Sequence, residues 1–112
     1  MIIIEKLENN IDHVSFARLE KLDSMVADDV KNELLKLFDI PNSKVILDLK
    51  DVKYIDSSGF GCFLTSMKAA RNNYGKLKIC NIDPAILTLF RTLHLHTIID
   101  LREDLDSCIN RF

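Results

Sequence analysis

Residues 45–61 read VILDLKDVKYIDSSGFG, and their order decides the fold. Val45-Ile46-Leu47-Asp48-Leu49 is a run of branched apolar residues with one carboxylate, the composition of an interior strand buried on both faces. Tyr54-Ile55-Asp56-Ser57-Ser58-Gly59 passes from a strand end or loop straight into a helix. That helix carries Phe60, Phe63, Leu64, Met67 and Ala70 on one side. Asn72-Asn73-Tyr74-Gly75 ends it, with Gly75 suited to a left-handed C-terminal cap. Leu77 to Cys80 is the next strand. This alternation predicts parallel strands joined by right-handed crossovers.

The same reading extends in both directions. Downstream, Asp83-Pro84 starts a helix, with a capping carboxylate and then proline at the first helical position. Ile86, Leu87, Phe90 and Leu93 form its apolar face. Thr97-Ile98-Ile99 reads as a final short strand and Arg102 to Asn110 as a last helix. Upstream, Ile2–Leu7 and Ile11–Leu19 are strands joined by the turn Glu8-Asn9-Asn10, too short for anything but an antiparallel hairpin. Asp23-Ser24 caps a helix whose stripe is Val26, Val30, Leu34, Leu37 and Phe38. Pro41-Asn42-Ser43 breaks it. The expectation is an α/β fold with a mixed, mostly parallel sheet of four to five strands and three to four helices.

Composition bounds the function. The chain has 112 residues, enough for one domain that buries roughly 65% of its unfolded surface without disulfide or metal. Its 15 basic and 17 acidic residues give a net charge of −2, which lacks the basic surplus of a duplex nucleic-acid binder. No stretch reaches the ~20 apolar residues of a membrane span. The start, Met1-Ile2-Ile3-Ile4-Glu5-Lys6, lacks the basic lead and long apolar core of a secretion signal. The expected location is cytoplasmic. Cys62, Cys80 and Cys108 form no C-x-x-C pair, so they read as free, buried thiols with no metal and no disulfide framework.

The chemistry concentrates at Asp56-Ser57-Ser58-Gly59. Two hydroxyls stand where a loop meets a helix N-terminus, and free N–H groups there favour negative charge. The plain alternative is a cap, since Asp and Ser are ordinary N-cap residues. Enzyme patterns fail on spacing. Ile55 stands where a nucleophile elbow at Ser57 needs glycine. Gly59-Phe60-Gly61 lies inside the helix, and Leu64 takes the place of the third glycine of a dinucleotide loop. His94-Leu95-His96 has no third ligand nearby for a metal. Asp28-Asp29 and Glu103-Asp104-Asp106 read as solvated helix faces. Without an acid/base pair, the expectation is not an enzyme, and no cofactor is implied.

Residues 45–52 and 54–61 resemble the signature of STAS domains, most of all the bacterial anti-sigma factor antagonists. The likeness continues through Leu22-Asp23, Gly75, Leu77 to Cys80, Asp83-Pro84-Ala85 and Leu89-Phe90, and implies a single STAS domain over residues 1–112. It further implies a regulatory binding module that docks an anti-sigma factor or related serine kinase and releases that regulator's target. The kinase phosphorylates the serine directly after the aspartate, and a PP2C-type phosphatase reverses this. By position the acceptor is Ser57, while Asp23, Asp56, Ser58 and Gly59 line the partner surface. Glu20-Lys21 stands where the family often has glycine before the Leu-Asp pair, which bears on the shape of that surface. STAS domains also serve as constitutive scaffold or transporter subunits, the alternative role.

Overall fold

A computed structural model describes residues 2–112; Met1 lies outside the described residues. The opening hairpin pairs β1 (Ile2–Lys6) with β2 (Ile11–Phe16) antiparallel, Ile4 opposite Val14. Its connection is a single 3-10 turn in which Asn9 and Asn10 take φ of 61° and 63°. Asparagine tolerates this left-handed region better than other side-chain-bearing residues. The strand expected to run to Leu19 stops at Phe16, and Arg18 takes a left-handed φ of 60° soon after. The chain then forms β3 (Lys21–Leu22), a two-residue strand that periodicity does not reveal.

Helix α1 (Ala27–Phe38) buries Val30, Leu34 and Phe38, as its stripe predicts. Its cap differs from expectation. Asp23 lies outside the helix, and its carboxylate accepts the Met25 N–H at 3.0 Å. Its carbonyl accepts the N–H groups of Val26 and Ala27. Asp23 therefore opens a turn, and the N-cap position falls on Val26, whose side chain cannot accept a hydrogen bond.

Strand β4 (Lys44–Asp48) is buried from Val45 onward, on both faces. Tyr54–Ile55 is a true strand, β5, parallel to β3, with Lys21 opposite Tyr54 and Leu22 opposite Ile55. Helix α2 (Ser57–Asn72), strand β6 (Lys76–Cys80), helix α3 (Pro84–Thr92), strand β7 (Asp100–Leu101) and helix α4 (Leu105–Ile109) complete the order. The large sheet runs β1-β2-β4-β6-β7, with every pairing after the first parallel.

Three boundaries shift for physical reasons. The left-handed residue after α2 is Tyr74 (φ 59°), and no glycine has positive φ. Gly75 is needed for closeness instead, since a Cβ there would stand 3.1 Å from the Ser43 carbonyl oxygen and 3.3 Å from Phe38 Cδ1. Thr97-Ile98-Ile99 is not a strand, because His94 turns left-handed and a 3-10 turn follows over Leu95–Thr97. Pairing then begins at Asp100, opposite Lys78. The last helix starts at Leu105 rather than Arg102, capped by Asp104, whose carboxylate accepts the Ser107 N–H at 2.8 Å. That bond holds the Asp104 carboxyl below its ordinary range.

The two faces of the sheet are covered unequally. Val14, Val45, Leu47, Leu77 and Ile79 share the main core with α1, α2 and α3, where Phe63 stacks on Phe90 at 5.8 Å. Ile11, Ile46 and Cys80 face the other way, under α4 and its Cys108. All three cysteines are free and buried. Burial pushes the Cys62 thiol up to about 11, and contact with Cys108 together with burial raises Cys80. On this second face Asp48 ties three segments. It lies 3.0 Å from His13 Nε2 and accepts from the Lys50 N–H and Asn81 Nδ2, each at 3.0 Å. No helix among the described residues is long and apolar enough to cross a membrane.

Lys78, only 5% exposed, pairs with Asp100, which Arg102 Nε also contacts at 2.7 Å. Burial opposes ionisation of Asp100, but hydrogen bonds from Lys78 and then Arg102 hold its carboxyl below the ordinary value. A carboxyl depressed in the folded state contributes stability above its unfolded pKa of about 4, and loses it as pH falls through the folded value. Asp100→Asn strands a buried ammonium. It is expected to cost about 2–3 kcal/mol at neutral pH, below the full range for buried pairs because Asp100 is partly exposed. The gap between wild type and variant in urea unfolding narrows below about pH 4; an unchanged gap would refute this role.

Candidate functional site

The Asp56–Gly59 segment sits at the junction of the small sheet and α2. Asp56 is the N-cap, with extended backbone, and its Oδ1 accepts the N–H of Ser58 at 2.9 Å and of Gly59 at 3.3 Å. The capping role suggested for this stretch thus belongs to the aspartate, and neither serine hydroxyl is needed for it. Ser57 is the first residue of α2 and is exposed, while Asp56 and Ser58 are half-buried.

Gly59 lies inside. A Cβ at this position would stand 2.6 Å from Ile55 Cγ2 and 2.7 Å from the Leu22 carbonyl oxygen. The bare Cα lets α2 seat against β3 and β5, so Gly59 shapes the surface from beneath and presents no side chain to it. The Asp56 N–H points to the same Leu22 carbonyl at 3.4 Å. Asp23 follows Leu22 directly, so the pairing of β3 with β5 brings the Asp23 turn and the Ser57 helix start to neighbouring strand ends. The structure therefore joins all the residues singled out in the sequence, although they lie more than 30 positions apart at the extremes.

Glu20, in the Glu20-Lys21 pair that stands where the family often has glycine, has a structural task through its backbone. Its carbonyl accepts the N–H groups of Lys53 at 2.8 Å and Tyr54 at 3.1 Å, which clamps the loop after β4. Two residues beside the site escaped the sequence reading. Met25 is 84% exposed in the Asp23 turn, and Tyr54 is 50% exposed on β5. The signal for Met25 was its absence from the α1 stripe; Tyr54 had none, because a two-residue strand shows no alternation. His94 and His96 are exposed with ring centroids 6.3 Å apart, and no group of three metal-ligating side chains occurs among the described residues.

A mixed five-stranded sheet carrying an exposed serine at the head of its second helix defines a small α/β module. The family model of the STAS domain matches residues 5–108, and the chain belongs to that family. It is similar to the anti-sigma-B factor antagonist of Listeria monocytogenes, 29% identical over 102 residues that span 90% of this chain and 89% of that one. Among solved structures it superposes on a STAS domain anti-sigma-factor antagonist from Planctomyces limnophilus with a TM-score of 0.87 at 16% identity, covering 97% of this chain and 96% of the other. The Bacillus cell fate determinant SpoIIAA in its phosphorylated form matches with a TM-score of 0.72 at 16% identity, covering 99% and 98%. These structural likenesses establish the shared fold.

Proposed function

We propose that this protein is an anti-sigma factor antagonist that docks a regulator, an anti-sigma factor or related serine kinase, and so releases the regulator's target. Phosphorylation of Ser57 blocks docking, and a PP2C-type phosphatase restores it. The protein acts in the cytoplasm, where the kinase finds ATP. The observation that carries this reading is the exposed Ser57 hydroxyl beside a carboxylate that caps the helix without it.

The switch follows from charge. The Ser57 oxygen attacks the γ-phosphorus of ATP, the bond to ADP breaks, and the hydroxyl proton leaves. The ester carries about −1.5 to −2 charge at neutral pH. Helix N-termini ordinarily welcome phosphate. Here the Asp56 carboxylate already holds the N–H groups of Ser58 and Gly59. The new charge therefore meets a carboxylate and open solvent, and a partner closing over it would bury it unpaired. Asp23, Asp56 and Ser58 line the docking surface and Gly59 sets its floor. No refolding is required.

Incubation with the cognate kinase and ATP tests the assignment. Intact mass is expected to rise by one phosphoryl group in wild type and to stay unchanged in Ser57→Ala. Unmodified wild type, or a modified Ser57→Ala, overturns the assignment of the site.

A further inference from the structure

Strand β1 is the long free edge of the large sheet. The opposite edge, β7, has only two residues and is followed by a capped helix. Free edges present unpaired N–H and C=O groups, and proteins blunt them with proline, charge or brevity. This edge reads Ile2-Ile3-Ile4-Glu5-Lys6, without proline and with charge only at its end. Ile3 is 48% and Ile4 42% exposed, one on each face. Ile2 and Ile4 floor a groove walled by Asp29, Asn32, Glu33 and Lys36 of α1. Glu33 there pairs with Lys36 at 3.3 Å, while Asp29 has no ion pair among the described residues.

We propose that the β1 edge binds a second copy of this chain, antiparallel, to form one continuous sheet across a two-fold axis through Ile4. Symmetry and charge select this register. A two-fold relating adjacent antiparallel strands stands normal to the sheet and leaves each residue on its own face. Each residue therefore pairs with one of its own face, and the residue on the axis pairs with itself. Axes at Glu5 or Lys6 set like charges opposite each other, which destabilises a sheet. An axis at Ile3 leaves Lys6 beyond the ladder. The axis at Ile4 pairs all five residues, with Ile3 opposite Glu5 and Ile2 opposite Lys6. Lys6, which pairs with Asp12 of its own chain at 2.7 Å, then stands opposite Ile2 of the other copy, beside the groove that Asp29 lines. Ser57 has no part in this contact, so the inference stands apart from the phosphorylation reading.

Sedimentation equilibrium of the full chain, untagged at its N-terminus, tests the proposal over a concentration series. The expected mass at high concentration is twice the 12.9 kDa of one chain, falling to that value on dilution. Ile4→Lys and Ile4→Glu each set like charges across the axis and each stays at single-chain mass. Their equimolar mixture recovers the doubled mass. Ile3→Lys, facing Glu5, keeps the dimer, and Ile3→Glu loses it. Single-chain mass for wild type throughout overturns the proposal, which would leave the edge to some other extended segment. A dimer that survives Ile4→Lys, or an Ile4 mixture that stays monomeric, overturns it equally.

Discussion

Ser57→Asp is expected to weaken binding of the cognate regulator by about a hundredfold, while Ser57→Ala stays close to wild type. The aspartate brings a permanent negative charge to the exposed first position of α2. The neighbouring Asp56 carboxylate already holds the nearby N–H donors. Docking then desolvates a charge without a counter-ion, and a loss of about 3 kcal/mol corresponds to that factor. Titration calorimetry with purified regulator measures it. Equal affinities for the two variants would remove charge as the basis of the switch. Because the effect is local, both variants are expected to unfold at the wild-type midpoint in denaturant.

The second large effect is structural. Gly59→Ala sets a methyl group 2.7 Å from a backbone oxygen of β3 and 2.6 Å from Ile55, and neither can swing away as a flexible side-chain tip could. Overpacking of this kind costs about 1–3 kcal/mol or more, and the gain in helix propensity of up to ~1 kcal/mol only partly offsets it. A fall in Tm of roughly 10 °C is expected, taking about 4–8 °C per kcal/mol. Gly61→Ala is the internal control. It has nothing within 4 Å of its Cβ position, so helix propensity acts alone and stability rises slightly. Two identical substitutions, one turn-half apart, thus carry opposite signs. If thermal unfolding gives both the same sign, the close seat of α2 on β3 is not what Gly59 provides.

The sequence made the fold legible where pattern and packing agree. The α1 stripe, the doubly buried β4 and the Asp83-Pro84 start all stand as read. Each rests on several residues at a fixed period or on local cap chemistry. Legibility failed where a long-range partner decides the local state. β3 leaves no mark in the pattern and Tyr54-Ile55 reads only as a strand end or loop; each strand has two residues and exists because Lys21 meets Tyr54 across more than thirty positions. Ile98 and Ile99 favour a strand by type, yet pairing starts one residue later, where Asp100 answers the buried Lys78. At the site, the order Asp56-Ser57 announced a helix start, but not which oxygen would cap it. Only the geometry frees both hydroxyls from that duty and shows Gly59 acting from beneath.

The strand order has a consequence for how the chain is made. Read across the large sheet, β1, β2, β4, β6 and β7 appear in the sequence in which they leave the ribosome. Within this sheet each strand after β2 lies beside the sheet's previous strand in chain order, and none has to be threaded between two already joined. A single domain of this size folds as a unit. The order of the strands thus asks for no insertion, and the sheet can extend from its opening hairpin in one direction without parting a pair already made.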